Sequence, residues 1–268
     1  METAFWISWQ DIGNRDLPEG RIYLGDEACE KRLPPAADME DHIRSLVSSG
    51  HPVTLVTPWI SESGLRGMDD LLTRLAKPPV PIELVVNDWG VLQSIKPYKY
   101  LTPVIGRLLC GQSSDPRLAD GENEDYQKRF EKTIYDRHGT PGRLKYHPPS
   151  QLFTCHIQSP AIIHPHVLAY LAGLNISRIE VSHLRQGLHL ELPKGWQASL
   201  VTPQVLVSLK RCRRPHCDPG GCARQVQTIH DPAFRHPLMV SPCEVYDLNP
   251  LRQGEQIPDV IDRIVIKF

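Results

Sequence analysis

The chain has 268 residues, 40% of them hydrophobic and 23% charged, with a formal net charge of −1. That is the make-up of an ordinary globule long enough for one large domain, and it supplies no global attraction to nucleic acid or an anionic membrane. No stretch approaches the roughly 20 consecutive apolar residues of a membrane span, and METAFWISWQDIGNRD at the start lacks the basic-then-apolar layout of a secretion signal. A cytoplasmic location is therefore expected, where disulfides are rare and grouped cysteines read as metal ligands.

In chain order, the first apolar runs are Phe5–Trp9 and Arg21–Leu24, the second leading into Gly25-Asp26-Glu27-Ala28-Cys29. Asp38 caps a helical pattern through Ile43, Leu46 and Val47 that Gly50 closes. Pro52–Pro58 is short and rich in β-branched residues, which predicts a buried strand. Ser63 to Leu75 then places Leu65, Met68, Leu71, Leu72 and Leu75 at helical spacing. Ile82–Val86 is a further strand, followed by Asn87-Asp88-Trp89-Gly90 and a short helix through Ile95; Pro103–Ile105 is the next strand, ending at Gly106-Arg107.

Cys110 to about Ser150 interrupts this rhythm with polar and charged residues, read as a surface insertion with a helix near Asp125–Tyr135. The pattern resumes with a predicted strand at Leu152–Ile157, a helix at His164–Leu174 and a strand at Arg178–Val181. Leu200–Leu209 reads as one strand running into a cysteine-rich loop, and Leu238–Phe268 as short β-like segments. Wholly apolar strands alternating with amphipathic helices argue for a parallel sheet with helices outside. Six to eight such steps predict a single α/β domain over residues 1–268, a (β/α) TIM-like barrel, complete or partial. Residues 110–150 are its polar insertion and residues 210–243 its cysteine-rich metal-binding loop. In such barrels functional groups gather where strands end. Asn87, Asp88, Arg107, Glu180 and Cys212 all fall at or just after predicted strand ends, and Cys29 follows an early strand in the same way.

The segment RCRRPHCDPGGC carries Cys212, Cys217 and Cys222 on a stretch that Pro215, Pro219, Gly220 and Gly221 keep out of regular structure. Grouped thiols on such a loop suit an iron–sulfur cluster or zinc, and Lys210, Arg211, Arg213 and Arg214 favour the thiolate form. His216 could replace one thiolate, whereas Cys110 and Cys155 sit singly beside apolar runs and are expected to be small buried hydrophobes. Asn87 and Asp88 are either strand-closing turn residues or ligands for polar substrate groups. Arg107 either holds a substrate carboxylate in its planar fork or forms a structural salt bridge. Glu180 is either a fourth substrate contact or a core carboxylate paired with a cation. No HExxH, Walker A, GxSxG or Rossmann fingerprint occurs.

RIYLGDEACEKR, ELVVNDWGVLQ, VIGRLL and SLKRC with its following cysteines together resemble the collagenase-like peptidase superfamily (peptidase family U-32). The resemblance is strongest to its UbiV-type branch of anaerobic ubiquinone biosynthesis. It implies a barrel holding a 4Fe-4S cluster on Cys29, Cys212, Cys217 and Cys222, with Cys243 in SPCEVYDLN as the substitute ligand. It further implies oxygen-independent hydroxylation of a small aromatic substrate, shared with a paralogous UbiU-like subunit in a heterodimer. Other branches imply RNA-base hydroxylation or peptidase activity. A barrel in which metal only staples loops, serving as a binding or scaffold protein, is the non-catalytic alternative.

Overall fold

A computed structural model describes residues 1–9, 12, 16–120, 132–144, 150–210, 225–231 and 234–267. Eight parallel strands close a barrel: β1 (Glu2–Ile7), β2 (Arg21–Gly25), β3 (Val53–Val56), β4 (Ile82–Val86), β5 (Leu101–Ile105), β8 (Arg178–Ser182), β9 (Gln197–Thr202) and β14 (Ile261–Lys267). Between β2 and β5 the crossovers are helical, through α1 (Ala36–Ser48), α2 (Glu62–Leu75) and α3 (Trp89–Ser94). α4 (Arg107–Cys110), α5 (Gln151–Gln158) and α6 (Pro165–Ala172) lie between β5 and β8, together with the hairpin of β6 (Lys132–Tyr135) and β7 (Pro141–Leu144). Between β9 and β14 the chain instead builds an antiparallel sheet from β10 (Gln204–Leu209), β11 (Gln227–Ile229), β12 (Leu238–Val240) and β13 (Glu244–Leu248), in the order β10-β13-β12-β11.

Local chemistry explains the helix starts. Ser61 Oγ accepts from Gly64 N at 3.2 Å and opens α2, Asp88 Oδ1 accepts from Gly90 N at 2.7 Å and opens α3, and Ser150 Oγ accepts from Phe153 N at 3.3 Å and opens α5. The apolar stripe of α2 then buries Met68, Leu71, Leu72 and Leu75, and that of α1 buries Met39, Ile43 and Leu46. Along the barrel strands successive side chains point to opposite faces. One set, including Ile22, Leu55, Leu84, Ile105, Ile179 and Leu200, joins the helices in a continuous apolar core. The alternate set, Ala4, Trp6, Tyr23, Val56, Val85, Val104, Val201 and Val265, forms a separate cluster inside the barrel.

Three expected elements differ. Residues Leu152–Ile157 lie in α5, not in a strand: Ser150 caps a helix there, and Leu152 and Phe153 are 82% and 50% exposed where a core strand would bury them. Lys132–Tyr135, expected to end a helix, is instead strand β6 paired with β7, while 121–131 lie outside the described residues. The single strand expected over Leu200–Leu209 is two, in different sheets, because Pro203 stands between them and cannot donate to a ladder. Residues 211–224, with Cys212, Cys217 and Cys222, also lie outside the described residues.

Candidate functional site

At the carboxyl ends of the strands, β2 finishes on Gly25, whose φ of +124° and close approach to the Val56 carbonyl leave no room for a side chain. Trp6 Nε1 donates to the Gly25 carbonyl at 3.0 Å, which fixes the indole across the barrel mouth. Two residues later Glu27 turns inward and is 1% exposed. Its carboxylate takes both arms of the Arg107 fork, Nε to Oε2 at 3.1 Å and Nη2 to Oε1, and also accepts from Lys267 Nζ at 2.6 Å. Arg107 Nη1 donates to Ser182 Oγ at 3.2 Å and to the Gln204 carbonyl. Both cations lie against Trp6, Lys267 Nζ at 4.4 Å and Arg107 Cζ at 5.8 Å from the ring centre. Burial alone would push the Glu27 carboxyl up, but Arg107 and Lys267 hold it down to about 2.

Arg107 therefore occupies the strand-end position expected of it, with its planar fork taken by Glu27. Asn87 is buried as a brace between strand ends: Nδ2 donates to the Thr57 carbonyl at 2.9 Å and Oδ1 accepts from Leu108 N at 3.1 Å. Asp88 caps α3. Glu180 lies within β8 and faces the lumen, not the rim. It is wholly buried, and neither carboxyl oxygen has a hydrogen-bond partner among the described residues. Burial raises its pKa to about 8 against the opposing pull of Arg107.

Cys29 follows on the same strand-end loop and is 7% exposed. Asp26 Oδ1 accepts from Ala28 N at 2.8 Å and Cys29 N at 2.7 Å, folding the loop back on itself. Burial pushes the Cys29 thiol up. Arg32 Nη1 bridges Asp26 Oδ2 at 2.9 Å and Glu244 Oε2 at 3.1 Å, tying this loop to the start of β13. Cys243, the adjacent residue, is 1% exposed, and its carbonyl accepts from Lys210 N at 2.8 Å. Lys210 stands two residues before Cys212. Among the described residues no three His, Cys, Asp or Glu side chains gather as a metal site. Cys110 is fully buried as expected, but Cys155 is only half-buried because the helix that carries it lies at the surface.

A cavity of about 180 Å3 opens beside Arg107 and Ser182, walled by Leu108, Gln112, Leu206 and Leu209. Glu27, Lys267, Trp6 and Ser182 were not singled out by sequence reasoning. A signal for Lys267 exists: in VIDRIVIKF, strand alternation puts Arg263, Val265 and Lys267 on one face. Glu27 carries no comparable signal, since GDEAC offers three polar or ionisable side chains and only the turn at Gly25 decides which points inward. No protein-family model, characterised protein or solved structure shows significant similarity to this chain.

Proposed function

We propose that this chain is an iron–sulfur protein of the collagenase-like peptidase superfamily that contributes to an oxygen-independent hydroxylation together with a paralogous, UbiU-like subunit. One observation supports it best. The Cys29 loop is joined through Arg32 to Glu244 of β13, and the neighbouring Cys243 carbonyl is joined to Lys210, so the chain leading to Cys212 leaves β10 beside the strand that Cys29's loop touches. The donor set is also chemically apt: four thiolates suffice for a cluster, with Cys29, Cys212, Cys217 and Cys222 as ligands and Cys243 as the substitute. When bound, a 4Fe-4S cluster supplies electron transfer; zinc at the same thiolates would supply only structure.

The chain's own residues place limits on how a small aromatic substrate is held. Arg107 has its fork filled by Glu27, so a substrate carboxylate is not received there; a cavity beside Ser182 adjoins this cluster. A second reading, a metal-stapled binding or scaffold barrel, draws on the filled mouth: Trp6 and the Glu27–Arg107–Lys267 cluster occupy the place where a barrel enzyme holds substrate. No helix among the described residues is long and apolar enough to cross a membrane. The net charge of −1 gives no support to RNA as substrate.

Anaerobic purification with iron and acid-labile sulfide quantified per chain tests the proposal. Iron and sulfide in equal amounts, with a visible absorption lost in both Cys29→Ser and Cys212→Ser, are expected. Zinc without sulfide overturns the cluster, and a metal-free chain overturns the centre altogether.

A further inference from the structure

Among the described residues, Glu180 is a lumen carboxyl that none of the surrounding cations claims, and this is independent of any metal on the cysteines. Of the charged groups that face it, Arg107 is already committed to Glu27, Ser182 and the Gln204 carbonyl. Arg263, from β14, is committed to Glu2, Glu83 and Tyr23. Glu27 adds a like charge from the mouth. From β2 the Tyr23 hydroxyl lies near enough to favour the ionised form, but it accepts from Arg263 at 3.0 Å and completes no hydrogen bond to either Glu180 oxygen. Cys110, outside the barrel wall, meets Glu180 through the Glu180 backbone. The lumen side chains nearest in the sheet, Val104 of β5 with Ser199 and Val201 of β9, carry no charge.

An ionised carboxylate in that setting would be desolvated with no hydrogen-bond donor completed to it. A neutral carboxyl avoids the charge but still presents one donor and an acceptor that require partners. Buried polar atoms left without a protein partner are where proteins hold internal water. We propose that Glu180 is a buried proton-binding site: a neutral carboxylic acid that holds internal water in the barrel lumen and exchanges its proton with solvent by way of the cavity beside Ser182. Ser182 lies two residues further along β8 on the same lumen face and lines that cavity with Arg107. On ionisation the O–H bond breaks, the proton passes to water and the electron pair stays on the carboxylate. The raised pKa agrees with this geometry.

Infrared spectra of the full chain, recorded from pH 5 to pH 10 in H2O and D2O against the Glu180→Gln variant, decide it. The wild type is expected to show a protonated-carboxyl band at pH 6 that is missing in Glu180→Gln, shifts in D2O and fades as the solution turns alkaline. Absence of the band at pH 6 overturns the neutral acid; a band that ignores D2O or persists undiminished at pH 10 overturns the exchanging site. Should the variant fail to fold, carboxyl carbon shifts of the wild-type chain labelled with 13C-glutamate follow the same titration. There a single glutamate still protonated well above pH 6 is expected, and ordinary titration of every glutamate overturns the proposal.

Discussion

The two faces of the barrel sheet are packed in different ways. Outward, Leu55, Leu84, Ile105, Ile179 and Leu200 share one apolar core with Met68, Leu71 and Leu72 of α2. Inward, the barrel strands present an ionic layer at their amino ends, where Arg263 meets Glu2 at 2.6 Å and Glu83 at 2.6 Å and Arg21 meets Glu2 at 2.8 Å. Valines, Ala4, Tyr23 and Trp6 follow, and the Glu27–Arg107–Lys267 cluster closes the mouth. The outer core is non-directional and tolerates exchange of similar volumes. The lumen depends on matched donors and acceptors, so removing one member strands another. The comparison assigns folding to the outer face and pre-set electrostatics to the inner one.

Arg107→Met is the harshest way to break that comparison. It leaves the buried Glu27 carboxylate with Lys267 alone and frees the Gln204 carbonyl and Ser182 hydroxyl. A loss of about 3–5 kcal/mol is expected from urea denaturation, as for other broken buried pairs. Arg107→Lys should restore only part of it, because an ammonium cannot fill both arms of the fork. A loss below about 1 kcal/mol would put the lumen on the same footing as a solvated surface, where ion pairs contribute that little.

A smaller effect, with a distinctive pH signature, comes from Glu180. Its folded pKa stands at about 8 against an ordinary 4.5. As pH rises above the lower value the unfolded chain gives up this proton while the folded chain keeps it, so the unfolded state binds fewer protons and stability falls. The stabilisation is fully present below pH 4.5 and is gone once pH passes about 8. At about 1.4 kcal/mol per pH unit the whole decline is on the order of 5 kcal/mol. Glu180→Gln should flatten that slope, gaining on the wild type between pH 5 and pH 8 in parallel denaturation curves. Parallel slopes for the two chains would show that Glu180 is paired and ionised.

The outer face was the legible one. Continuous apolar strands such as Ile82–Val86 and the spacing of Met68, Leu71, Leu72 and Leu75 follow from burial on the helix side, and they led directly to a barrel. The closed circuit of eight parallel strands was less visible, because β1 and β14 meet from opposite ends of the chain. Arg107 was legible as a strand-end residue but not as Glu27's partner, since a contact across 80 positions leaves no periodic trace. The run LFTCHI misled for a physical reason. Apolar content signals burial, and α5 exposes Leu152 and Phe153 all the same.

Asp88 gives the mildest test and separates a structural role from a substrate-binding one. Its Oδ1 accepts from Gly90 N at 2.7 Å at the first turn of α3, which satisfies one of the amide groups a helix start leaves open. Asp88→Ala should therefore cost about 1 kcal/mol, the usual loss for an N-cap, while Asp88→Asn or Asp88→Ser should recover most of it, since each keeps an oxygen acceptor. A residue that instead recognises a substrate by charge would show the reverse pattern, with Asn and Ala equally damaging to binding and neither changing the unfolding midpoint. The lumen ion pairs are untouched by all three substitutions. A denaturation series that follows acceptor chemistry and not charge therefore places Asp88 with the helix-side architecture, in contrast to Arg107 one strand further along the rim.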